Sequence, residues 1–105
     1  MPDITDRALR IEGELTIYRA AELRDVLKDA LAAVPPNGTL ALDLADVSEM
    51  DSAGAQLLLA AQKSALATGR ALRVSASSAS VDEVFAILRL TTQFAATPPS
   101  AASTA

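Results

Sequence analysis

The sequence predicts a single α/β domain with a largely parallel sheet. Three observations carry that expectation. Short apolar stretches of strand type alternate with stretches of helical period along the 105 residues. Gly, Pro and Asn punctuate the junctions. The order strand, helix, strand, helix, strand, helix is the one that builds parallel sheets by right-handed crossovers.

The elements follow in order. Ala8-Leu9-Arg10-Ile11-Glu12 alternates apolar and polar, as a half-buried strand does. Gly13 breaks the alternation and marks a bulge or bend. Glu14-Leu15 leads to Thr16, a candidate helix cap. Leu23, Leu27, Ala30, Leu31 and Val34 recur at helical spacing, with Arg24, Asp25, Lys28 and Asp29 on the other face, so a first helix ends near Val34. Pro35-Pro36-Asn37-Gly38 stops it and turns the chain. Thr39 to Leu44 reads as a mostly apolar strand buried on both faces, and Ala45 to Asp51 as a polar loop.

A second helix is expected from Ser52 to Thr68, with Gly69 as its left-handed C-terminal residue. Leu72 to Ser75 forms a short strand. Ser80-Val81-Asp82-Glu83 has capping-box form and opens a third helix, with Val84, Ile87 and Leu88 toward the core and Phe85 beside them. Residues 95–105, rich in Ala, Pro, Ser and Thr, are expected to form a disordered tail behind a domain at 1–94.

Composition excludes several functions. There is no Cys and no His. Disulfides, thiol chemistry, the usual transition-metal ligands and the commonest neutral-pH general base are therefore missing. The formal net charge is −4 with no basic run, which disfavours nucleic acids and anionic membrane surfaces. Residues 1–10 lack the apolar core of a signal peptide, and no stretch approaches the roughly 20 apolar residues of a membrane span, so a cytoplasmic home is expected. With no glycine-rich phosphate loop and no activated serine, the chain is expected not to be an enzyme. No cofactor or metal is expected. Asp43, Asp46, Glu49 and Asp51 cluster in sequence, but the ligand spacing and glycine of a cation loop are missing, so a solvated acidic segment is the simpler reading.

The informative stretch is Leu42 to Gly54. It delivers Asp51-Ser52 to a helix start, where unpaired N–H groups and a positive dipole end accommodate an anion, including a phosphate on Ser52 itself. The local residues also admit a plainer account: Asp51 caps the helix and Gly54 gives close packing. Leu57-Leu58-Leu59 spans about 200° of the helix, so either the helix is sandwiched or one of the three, Leu59, reaches the surface. Tyr18 and Arg19, after the Gly13 bend, face either a partner or plain solvent.

Asp43-Leu44 and Val47, followed by Asp51-Ser52-Ala53-Gly54, resemble the signature of STAS domains, the anti-sigma-factor-antagonist family. Gly13-Glu14-Leu15 and Ala20-Ala21-Glu22-Leu23 are similar to the family's first strand and helix. The similarity runs from about residue 8 to 90. Ala55 departs from the family, which usually has a bulkier aliphatic residue there, and the N-terminal strand region is shorter than in long members. The resemblance implies a mixed, mostly parallel four-stranded sheet with helices packed on it. It implies a regulatory module that binds an anti-sigma factor/serine kinase, with Ser52 phosphorylated by that histidine-kinase-like ATPase. The implied partner surface is Asp46, Ser48, Met50, Asp51, Ser52, Ala53, Gly54, Gln56 and Leu59. Similar STAS proteins serve beside chemotaxis systems or as subunits on the ATPase of phospholipid transporters, and the compact N-terminus here looks closer to those two groups.

Overall fold

The computed structural model describes residues 6–90 and Phe94. Three strands and three helices alternate: β1 (Asp6–Leu15), α1 (Ala20–Ala32), β2 (Thr39–Met50), α2 (Ser52–Ala67), β3 (Ala71–Ser77) and α3 (Ala79–Ile87), with a short 3₁₀ turn at Ile17–Arg19 before α1. The sheet order is β1-β2-β3 and both pairings are parallel. Among the described residues the sheet thus has three parallel strands, where four in a mixed sheet were expected. At the free edge of β3 the Val74 amide donates to the Phe94 carbonyl at 3.1 Å. A single bond to Phe94 among the described residues is not a ladder. The expected tail, 95–105, lies outside the described residues.

Strand β2 is central, and its inward side, Leu40, Leu42 and Leu44, is fully buried. Leu23, Leu27 and Leu31 of α1 and Ala55, Leu58, Ala61 and Ala65 of α2 belong to the same core, and α1 and α2 pack on each other. The opposite side of the sheet is more polar and open: Ala8, Arg10 and Glu12 are exposed and Asp43 is half-buried. The alternation read in residues 8–12 therefore sorts as expected, with Leu9 and Ile11 inward.

Strand β2 runs on through 45–50, the segment expected as a loop. It carries polar residues because the pairing slips: Arg10 faces Asp43 but Glu12 faces Asp46. The extra residue reverses the inward phase, so Val47 is buried while Ala45, Asp46, Ser48 and Glu49 stay exposed. Beyond Leu44 the place of β3 beside β2 is taken by α3, with the Ser78 amide on Leu44 O and Ser80 Oγ on Ser48 O at 2.9 Å.

Gly13 sits at the second slip with φ +80, and the Arg19 guanidinium clamps that bend through Glu12 O at 2.6 Å and Glu14 O at 2.9 Å. Arg19 is thereby occupied by the fold. Thr16 is buried, and its hydroxyl donates to Glu14 rather than capping a helix. Gly69, at φ +75, closes α2 as expected, with Arg70 N on Ala65 O and Gly69 N on Leu66 O, a Schellman pair.

The third helix starts earlier than the capping box suggested. Ser78 is the cap, its hydroxyl accepting from Val81 N at 3.3 Å, because the sheet pairing ends at Ser77. Its buried residues are consequently Val81 and Phe85, while Ile87 is 71% and Leu88 41% exposed. Phe85 stacks on Phe94 with centroids 5.2 Å apart. Replacing Ser78 by Ala is expected to cost about 1 kcal/mol. Replacing Ser80, which loses one exposed hydrogen bond, should cost roughly half that. Urea unfolding of both variants checks the order; a larger loss at Ser80 would restore the capping-box reading.

Candidate functional site

The site is built where the ends of β1 and β2 meet the start of α2. Asp51 is the extended N-cap residue of α2 and its two carboxylate oxygens do different work. Oδ1 accepts from Gly54 N at 2.9 Å, inside the helix start. Oδ2 accepts from Ile17 N at 3.1 Å, across from the β1–α1 turn. Asp51 N in turn donates to Leu15 O at 3.4 Å. One side chain thus caps the helix and ties the neighbouring turn to it.

These amides favour the charged carboxylate, Gly54 first and then Ile17, and hold Asp51 below its ordinary value of 3.8. Because the folded value is depressed, the stabilisation is fully present above about pH 4 and is lost as the pH falls through the folded value. Asp51→Ala is expected to cost about 2 kcal/mol near neutral pH, the cap and the tie together. It should also flatten the acid limb of the stability profile. Urea unfolding between neutral pH and pH 3 measures both; an acid limb identical to wild type would remove this role.

Ser52 follows as the first residue of α2. It is exposed, and its hydroxyl has no hydrogen-bond partner among the described residues. Gly54 is fully covered. A Cβ built there would lie 2.0 Å from Leu15 O, so the helix start rests directly on the β1 backbone. That is the close-packing account of Gly54, and it coexists with an exposed serine two residues earlier.

The expected partner residues separate on this framework. Asp51, Ser52, Ala53 and Gln56 form one edge, with Ser52 and Gln56 exposed and Ala53 half-buried. Met50 and Leu59 pack against the core while keeping partial exposure. Gly54 is buried beneath Leu15 and offers a partner no surface. Ser48 lends its carbonyl to Ser80. Asp46 pairs with Arg10 on the open side of the sheet, about 16 Å back along the strand from Asp51 at roughly 3.3 Å per residue. It is not part of the Ser52 edge.

The other carboxylates also scatter. Asp43 accepts from Ala45 N and Glu49 points from an exposed strand position. Among the described residues no group of three acidic side chains gathers to hold a cation.

Two residues complete the edge. Ile17 is 61% and Tyr18 89% exposed, beside the Asp51 bond. Tyr18 was legible as an exposed aromatic after the Gly13 bend. Ile17 was not, because its place depends on an amide reaching across 34 positions of sequence. A shallow hollow of about 360 Å³ lies there, with Ile17, Ala20, Ala53, Gln56 and Leu57 among its walls.

Fold and site together define a small α/β domain that presents a capped, serine-bearing helix start. The chain belongs to the STAS family: the family model described as "Mlab, STAS domain" matches residues 2–96. Solved structures share the fold. A sulfate transporter family protein from Wolinella succinogenes is similar with TM-score 0.70 at 18% identity, over 90% of this chain and 75% of that one. The anti-sigma factor antagonist SpoIIAA in its unphosphorylated form is similar with TM-score 0.68 at 24% identity, over 99% and 90%. No described helix is long and apolar enough to cross a membrane.

Proposed function

We propose that this STAS domain is a regulatory protein-binding module of the anti-sigma-factor-antagonist type, switched by phosphorylation of Ser52 by its partner kinase. The observation that carries the reading is Ser52 itself: an exposed, unpartnered hydroxyl at a helix N-terminus, held in place by the Asp51 cap. A phosphate there meets the positive dipole end of α2, so the fold tolerates it. The exposed Ile17 and Tyr18 supply the apolar and aromatic contact area that protein interfaces favour. The module binds and does no chemistry of its own, and it acts in the cytoplasm.

The resemblance to phospholipid-transporter subunits, with a family match described as Mlab, favours a second reading. In it the same edge is clamped permanently on a transporter ATPase. Affinity capture of the tagged chain from its host, with mass spectrometry of its phosphorylation and its partners, separates the two. A kinase or anti-sigma partner recovered only with unphosphorylated Ser52 supports the switch. A stoichiometric ATPase on a chain that never carries phosphate supports the subunit.

A further inference from the structure

The groove between α1 and α2 adjoins the hollow at the Ser52 edge, sharing Arg24 and Leu57 with it, and extends from there to Thr68 and Arg70. It encloses about 530 Å³ over a floor that includes Leu27, Leu31, Leu57 and Ala61. That size falls within the roughly 300–1,000 Å³ of small-molecule sites, which are mostly apolar with a few placed polar groups. The space exists because α2 turns Ala60, Ala61 and Ser64 toward it, side chains too short to close the gap between two helices.

Its charge is the second observation. Arg24, Lys28 and Arg70 line it, and no carboxylate does among the described residues. The whole chain has 13 acidic residues against 9 basic ones, so this rim is opposite in sign to the molecule. Arg70 is anchored by its Nε on Val34 O at 2.6 Å, which fixes the guanidinium at one end. Arg24 and Lys28 stand one turn apart on α1 and make no ion pair among the described residues.

We propose that this groove binds a long-chain carboxylate, its alkyl chain on the leucine–alanine floor and its anionic end on the Arg24–Lys28–Arg70 rim. An acidic peptide helix fits less well. Such a helix is about 10 Å in diameter with its side chains. An alkyl chain needs only a narrow apolar track and one cationic end. Each methylene fully removed from water is worth about fourfold in affinity, and about two- to fourfold in a groove that leaves part of the chain wet.

The test is calorimetric titration of the full chain with octanoate, decanoate and dodecanoate below their micelle concentrations, and with decanol as the uncharged comparator. Affinity is expected to climb about two- to fourfold per methylene, with decanol at least tenfold weaker than decanoate. Charge reversal in R24E/K28E, or filling the groove with A60F, should weaken decanoate at least tenfold while the thermal melt stays within a few degrees. K63E, on α2 but not among the residues lining the groove, should bind as wild type. If R24E/K28E does not fold, R24Q/K28Q replaces it. No saturable heat with any carboxylate overturns the proposal. So does decanol matching decanoate, decanoate binding unchanged in the folded groove variants, or binding confined to an acidic amphipathic peptide.

Discussion

Replacing Gly54 by alanine is expected to remove more than about 3 kcal/mol of stability, a large share of the roughly 5–15 kcal/mol a domain this size has. Local propensity points the other way: in a helix, alanine is better than glycine by about 1 kcal/mol. Position decides the sign. The new Cβ would stand 2.0 Å from Leu15 O and 2.9 Å from Leu15 C, and both are backbone atoms of the buried end of β1. A flexible side chain swings away from such a clash, but a strand end paired with Met50 does not. Either α2 lifts off β1 or β1 bends, and both break the Asp51 N to Leu15 O and Ile17 N to Asp51 bonds. Urea unfolding measures the change; a stabilised Gly54→Ala would show that the contact is not as close as described.

Charge at Ser52 is expected to separate folding from binding. Ser52→Ala loses no hydrogen bond among the described residues and should melt within about 0.5 kcal/mol of wild type. Ser52→Asp gains from the helix dipole and loses from its neighbour Asp51, so it should also stay within about 1 kcal/mol. Binding behaves differently. A partner closing over Ile17, Tyr18 and Gln56 covers Ser52 as well, and must strip water from an unpaired carboxylate beside the Asp51 charge. Roughly a hundredfold weaker binding, about 3 kcal/mol, is expected for Ser52→Asp, and wild-type affinity for Ser52→Ala. Calorimetry with the captured partner reads both. Equal affinity for all three forms would discard the switch and favour the permanent subunit.

At several turns the local code and the fold agree. Gly69 closes α2, Gly13 takes the positive φ at a bulge, and Asn37, at φ 68, turns the chain after Pro36 with Gly38 N on Pro35 O. The capping role of Asp51 follows from its place before an apolar-periodic run. The left-handed closure of α3 was not legible. Arg89 takes it, at φ 58, with Leu90 N on Phe85 O. Arginine carries no signal for that conformation, and what holds it there is the burial of Leu90 and Phe94 behind the helix.

The amino-acid order by itself determined the alternation of strands and helices, the parallel α/β class, the family signature and the placing of Ser52 at a capped helix start. Each of these is written in short-range terms: period, turn residues and cap spacing act over a few positions. The tertiary structure alone decided how far β2 continues past Leu44, because only the pairing partner β1 shows that residues 45–50 lie in a bulged strand. It also moved the start of α3 to Ser78, took Asp46 away from the site and joined Ile17 to Asp51. All of these rest on hydrogen bonds and burial between segments distant in sequence. Such contacts depend on register, and a slip of one residue turns an inward side chain outward without changing any local pattern.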